Sequence, residues 1–218
     1  MTNKFTIDEL LIRVMPGGFF IAAIFLFFAK NYQVHIAGDL DFLYTFLFFC
    51  SAFIVGELLQ TVAHALEWVV DIFFKRRRPS HIFLYKENPI LKSDYQRGEI
   101  IHILDFPKNQ LKIFDKEYSD LSFFRKQKED DKLSQDIFWK LYSSVSDQEE
   151  MRVVNRNYLF SRVIMIEFLF LTIFAFLSNS WVLVIVNLSI FLLFWWRTRG
   201  IARGLVFKTV LLNLKSNK

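Results

Sequence analysis

Asp41 to Lys75 reads DFLYTFLFFCSAFIVGELLQTVAHALEWVVDIFFK. Phe42 to Val55 is almost purely apolar, and polar residues then enter at Glu57, Gln60, His64, Glu67 and Asp71. Their intervals alternate between three and four, which on an α-helix puts them on one stripe. The run ends at Lys75-Arg76-Arg77-Arg78-Pro79. A helix over Phe42–Phe74 would be ~50 Å long at ~1.5 Å per residue, well beyond the ~30 Å of bilayer hydrocarbon. The stretch is therefore read as a transmembrane helix with its lipid part at 42–62. Its last turns continue to 74 with one wet face. On this reading Glu57 lies in lipid, Gln60 near the boundary, and His64, Glu67 and Asp71 at or beyond it.

The composition agrees. Of 218 residues, 53% are hydrophobic and 18% aromatic, with 27 Phe and a mean hydropathy of +0.28. The apolar excess is gathered into a few runs, which is the mark of a membrane protein. The single Cys50 rules out an internal disulfide framework. The N-terminal run lacks the features of a cleaved signal peptide and is expected to stay as a span. Abundant Lys and Phe with only seven Gly fit a low-GC prokaryote.

The expected fold class is an all-α integral membrane protein with four transmembrane helices and a small, mainly helical cytoplasmic insertion. Residues 1–14 form an interfacial helix opened by a Thr6/Glu9 capping box and broken or kinked at Pro16-Gly17-Gly18. Residues 15–74 hold spans one (15–34) and two. Residues 75–145 are the insertion. Residues 146–196 hold an extended third helix, opened by a Ser146/Glu149 capping box, and a fourth span. Their lipid parts are 159–177 and 181–196, joined by a tight turn at Ser178-Asn179-Ser180. Residues 197–218 are an amphipathic cytoplasmic tail. Of the 27 Lys and Arg, only Lys30 falls in a candidate outer loop. By the positive-inside rule both termini and the 75–155 segment are cytoplasmic, at the plasma (inner) membrane of a prokaryote.

Within the insertion, residues 93–104 and Leu133–Tyr142 have helical signals, whereas Asp115–Lys132 reads as a charged loop. Residues 75–155 carry 16 Lys and Arg against 14 Asp and Glu. That balance argues against direct nucleic-acid binding, which calls for a clearly basic surface. A block of about 70 residues has little core of its own and is expected to pack on the protruding ends of helices two and three.

Ionisable residues in lipid are costly and mark functional hypotheses. Glu57, Arg162 and Glu167 qualify. Arg162 falls at a depth similar to Glu57, so the two are expected to pair, whether for function or only to set helix register. Glu167 has no evident partner at its depth beyond Asn187 and Ser189; it faces lipid as the neutral acid, a cavity, or an oligomer interface. The stripe Glu57, Gln60, His64, Glu67, Asp71 admits three readings. These are a metal site, a water-filled pore lined by several copies, and a packing face satisfied by residues 80–150 or a neighbouring subunit. Metal binding is the weakest, since the stripe itself holds no Glu-x-x-His motif. Lys75, Arg76, Arg77 and Arg78 read as an anchor beside anionic lipid, or else as a site for RNA or an anionic messenger. No nucleophile constellation, phosphate loop or cofactor motif is present, which argues against an enzyme. No cofactor or metal is expected.

Arg13 with Pro16-Gly17, GELLQ…AHALE over Gly56–Glu67, and NYLFSR over Asn157–Arg162 give the chain a recognisable layout. It resembles small multi-pass membrane proteins of prokaryotic antiviral defence. The accessory membrane protein family of type VI-B CRISPR loci is one such group, and the membrane subunit of the Kiwa system is another. The resemblance implies an oligomeric membrane effector or sensor that couples a cytosolic protein partner, bound through residues 75–155, to permeability change or recruitment. It implies no catalytic residues. Two other functions compete. One is a small ion channel or transporter with Glu57 and Glu167 on its path, and the other is a non-catalytic membrane scaffold subunit.

Overall fold

The computed structural model describes residues 7–32, 42–74, 78–84 and 129–216. Among them are six helices and no strand: α1 (Ile7–Tyr32), α2 (Phe42–Phe73), α3 (Pro79–Ile82), α4 (Glu129–Val145), α5 (Glu149–Leu177) and α6 (Trp181–Ser216). Three are long and apolar enough to cross a membrane, over Thr45–Asp71, Glu149–Leu177 and Trp181–Lys215. A shorter apolar helix lies at Ile12–Leu26. The described residues are all-α, and three candidate membrane-crossing helices make this a multi-pass membrane protein by length and composition.

Two compact units divide the chain: residues 1–69 with 158–198, and residues 70–157 with 199–218. In the first unit α1 differs from expectation. It runs unbroken through Pro16, with no interruption at Pro16-Gly17-Gly18. Proline removes one helix hydrogen bond, and neighbouring helices in a membrane bundle can hold such a segment helical. Here α2 does so by close approach. A Cβ added at Gly17 would fall on the Ala52 carbonyl oxygen, with the Gly56 nitrogen 2.7 Å away. A Cβ at Gly56 would fall on the Arg13 carbonyl. Small residues let two backbones meet in this way where lipid supplies no hydrophobic drive. Phe19 and Phe20 of α1 then stack on Phe168 and Phe170 of α5, at ring separations of 5.9 and 6.3 Å. Ser161 of α5 and Thr198 of α6 share a buried hydroxyl hydrogen bond of 3.0 Å.

The α5–α6 connection is the tight turn foreseen at Ser178-Asn179-Ser180. Asn179 takes φ 60°, a left-handed conformation that asparagine tolerates. The Ser180 amide donates to the Ala175 carbonyl and the Asn179 amide to the Phe176 carbonyl, each at 3.0 Å. These are the two hydrogen bonds of a Schellman helix end.

The second unit gathers α3, α4, the first turns of α5 and the last turns of α6 around one core. Phe83, Leu84, Ile137, Phe138, Leu141 and Met151 are buried there with Val206 and Val210. Residues 197–216 of the expected tail are therefore the continuation of α6, and their apolar face completes this core. Asn213 ties it to α4: its amide nitrogen donates to the Leu141 carbonyl at 2.9 Å, and its oxygen accepts from the Ser144 hydroxyl at 2.7 Å.

The α4 helix spans the expected Leu133–Tyr142 but opens at Glu129, so the last residues of the expected 115–132 loop are helical. Glu129, Asp130 and Asp131 suit a helix N-terminus, where the dipole favours negative charge. The Ser146/Glu149 capping box does not form as foreseen. The Ser146 hydroxyl donates back to the Ser143 carbonyl at 3.2 Å, and α5 begins at Glu149. The Thr6/Glu9 box and the helix expected at 93–104 lie outside the described residues.

Candidate functional site

The α2 stripe has the periodicity read from the sequence, and its charged members find partners on other helices. Glu57 forms an ion pair with Arg13 of α1, both side chains roughly a third exposed. The Arg13 guanidinium also lies over the Phe53 ring, 5.8 Å from its centre. This replaces the expected Glu57–Arg162 pair. The reason is the Gly17–Gly56 crossing, which brings the Arg13 backbone against Gly56 and so its side chain beside Glu57.

Arg162 instead meets the stripe two to three turns further along. Its Nη1 lies 3.6 Å from Glu67 Oε2 and 3.4 Å from His64 Nδ1. Tyr158, one turn earlier on α5, donates its hydroxyl hydrogen to Glu67 Oε1 at 2.5 Å. The Arg162 guanidinium also lies over the Tyr158 ring at 5.4 Å. Glu67 and Arg162 are each 7% exposed, so this is a buried charge pair with an added hydroxyl donor, the arrangement that offsets desolvation. His64 itself is exposed. Gln60 is half-buried and makes no hydrogen bond among the described residues.

Asp71 belongs to the second unit. Its Oδ1 accepts a hydrogen bond from Arg199 Nη1 of α6 at 2.7 Å, and its Oδ2 lies 3.7 Å from Arg78 Nε. Among the described residues the charged members of the stripe pair with α1, α5, α6 and Arg78; most of residues 80–150, the partners expected for a packing face, lie outside the described residues. Arg78 is the one residue of the basic anchor that the structure describes; Lys75, Arg76 and Arg77 lie outside the described residues.

Glu167 stands apart. It is 0% exposed, and neither carboxyl oxygen has a hydrogen-bond partner among the described residues. Ser189 does not meet it, since its hydroxyl donates to the Ile185 carbonyl of its own helix at 2.8 Å. Asn187 lines a cavity between α1, α5 and α6. Among the described residues no cluster of three or more His, Cys, Asp or Glu is placed to hold a metal ion.

Three contributors are not evident from the sequence: Arg13, Tyr158 and Arg199. Arg13 was singled out only as part of a layout, although a cation four residues before Gly17 hinted at a partner on the facing helix. Arg199 falls within the stretch expected to be an amphipathic tail. Its position one turn beyond Trp195, in the middle of α6, carries no local signal of a partner on α2. No protein-family model, no curated protein and no solved structure matches this chain.

Proposed function

We propose that this chain is a four-span membrane subunit that couples a cytosolic partner to the bilayer, as an oligomeric accessory effector or sensor of prokaryotic antiviral defence. The helix α1 serves as the first span, and both termini face the cytoplasm. The observation that carries the coupling is the pairing of the α2 stripe. Its acidic residues are tied in turn to α1, α5 and α6, and α2, α5 and α6 each contribute to both compact units. A partner that binds residues 75–155 and rotates α2 must break or exchange these pairs. The assignment to antiviral defence rests on the resemblance of layout at Arg13–Gly17, Gly56–Glu67 and Asn157–Arg162.

The test is phage challenge in a bacterial host carrying the gene in its native neighbourhood, with crosslinking to find what binds residues 75–155. Deleting the gene should raise plating efficiency, and the Glu67→Ala variant, confirmed in the membrane fraction, should behave like the deletion. Unchanged plating across a broad phage panel, with no cytosolic protein crosslinked, would reject the reading.

A second reading, a small ion channel or transporter, draws on Glu167, whose buried carboxyl lacks a partner among the described residues. Ion flux in liposomes that Glu167→Gln abolishes would favour it over coupling.

A further inference from the structure

Within the first unit, α1, α5 and α6 leave a half-open cavity of about 320 Å³. Phe19 and Ala23 of α1, Phe168 and Leu171 of α5, and Leu183 and Asn187 of α6 are among its walls. Among the described residues of the lining, Asn187 is the single polar one. Its amide is half-buried and makes no hydrogen bond among the described residues. That is an unusual way to leave an amide in a span, because hydrocarbon offers no water to satisfy it. Water does not settle in such a space, since an ordered water needs two to four polar partners.

The depth narrows the occupant. Asn187 lies six residues into α6 from Trp181, ~9 Å along the axis, which places it inside the hydrocarbon half-layer of ~15 Å. A phospholipid headgroup does not reach that level. A mainly apolar molecule with one carbonyl or hydroxyl along its length does.

We propose that this cavity binds an acyl or isoprenoid hydrophobe drawn from the bilayer, with a carbonyl or hydroxyl of the ligand hydrogen-bonded to the Asn187 amide. The apolar chain lies along the packed Phe19 and Phe168 rings and runs past Ala23 and Leu171 toward Leu183. Ala23 is a small residue of the lining, so a larger side chain there would occupy volume that the chain needs. The site is independent of what residues 75–155 bind.

The experiment purifies the full chain from bacterial membranes in mild detergent and identifies co-purifying hydrophobes by solvent extraction and mass spectrometry. Free fatty acids, prenols and quinones are quantified separately against bulk phospholipid, which identifies the source. The wild type should retain close to one equivalent per chain of a carbonyl- or hydroxyl-bearing hydrophobe. Asn187→Leu, which keeps the volume and removes the amide, should hold it about tenfold more weakly, the worth of one hydrogen bond. Ala23→Trp and Leu183→Trp, filling the cavity from two different helices, should each lose it. A folded variant of either kind, judged by monodisperse elution, that retains the wild-type amount overturns the proposal. So does a wild-type extract holding only phospholipid in the proportions of the membrane.

Discussion

Arg162 Nη1 on α5 stands 3.6 Å from Glu67 Oε2 on α2, with both side chains about a tenth exposed (9% and 10%). The Tyr158 hydroxyl bonds the other oxygen of the same carboxylate. Removing one partner leaves the other charge buried, so Glu67→Ala is expected to cost about 3–5 kcal/mol. The double variant Glu67→Met/Arg162→Met should recover most of that loss. Tyr158→Phe, which deletes one hydroxyl donor, should cost about 1–2 kcal/mol. Thermal unfolding of the detergent-solubilised chain measures all three. A double variant no more stable than Glu67→Ala would show that the pair is not a closed unit.

The Gly56–Arg13 approach predicts a sharp contrast between glycines. Gly56→Leu forces its side chain onto the Arg13 carbonyl and should destabilise by at least 1–3 kcal/mol, roughly. Gly204 of α6 has open space where a Cβ would go. Gly204→Ala should therefore stabilise α6 by up to about 1 kcal/mol through helix propensity alone. Equal effects at the two positions would contradict the close crossing of α1 and α2.

Glu167 is fully buried without a hydrogen-bond partner among the described residues. Its removal in favour of an apolar side chain of similar length should then raise stability. Glu167→Met is expected to gain about 1–3 kcal/mol, the penalty of an unsatisfied buried polar group. Lower stability in Glu167→Met, measured by chemical unfolding in detergent, would reveal a partner supplied by a second copy or by a ligand.

In the second unit, burial pushes the Tyr142 phenol above its ordinary value of 10.0. The unfolded chain loses this proton first as pH rises. The neutral phenol thus stabilises the fold fully below about pH 10, and that contribution is lost as pH climbs through the folded value. Titration followed by tyrosinate absorbance should show a late-ionising component that Tyr142→Phe removes. The thermal midpoint of Tyr142→Phe should fall less steeply above about pH 10 than that of the wild type. Identical curves for the two proteins would place the phenol in water.

Local chemistry made much of this protein legible in its sequence. Thr45–Asp71 and Trp181–Lys215 are long and apolar enough to cross a membrane, and a span is decided by composition over consecutive residues. Glu57, Gln60, His64, Glu67 and Asp71 fall on one stripe because 3.6 residues make a turn, wherever the helix is placed. The turn at Asn179 was visible in its own residues for the same reason. Partnership was not legible. Which cation meets Glu57 depends on how far α1 slides along α2, and that is set by backbone contact at Gly17 and Gly56, between segments some forty residues apart in sequence. The continuity of α1 through Pro16 has the same origin, since packing against α2 outweighs a local preference to break. The tail around Val206 and Val210 likewise became core only when α4 and the start of α5 closed on it. Composition and periodicity determine which faces are apolar and which are charged. Only the tertiary structure decides which face meets which, because that depends on helix rotation and register, and these arise from contacts distant in the chain.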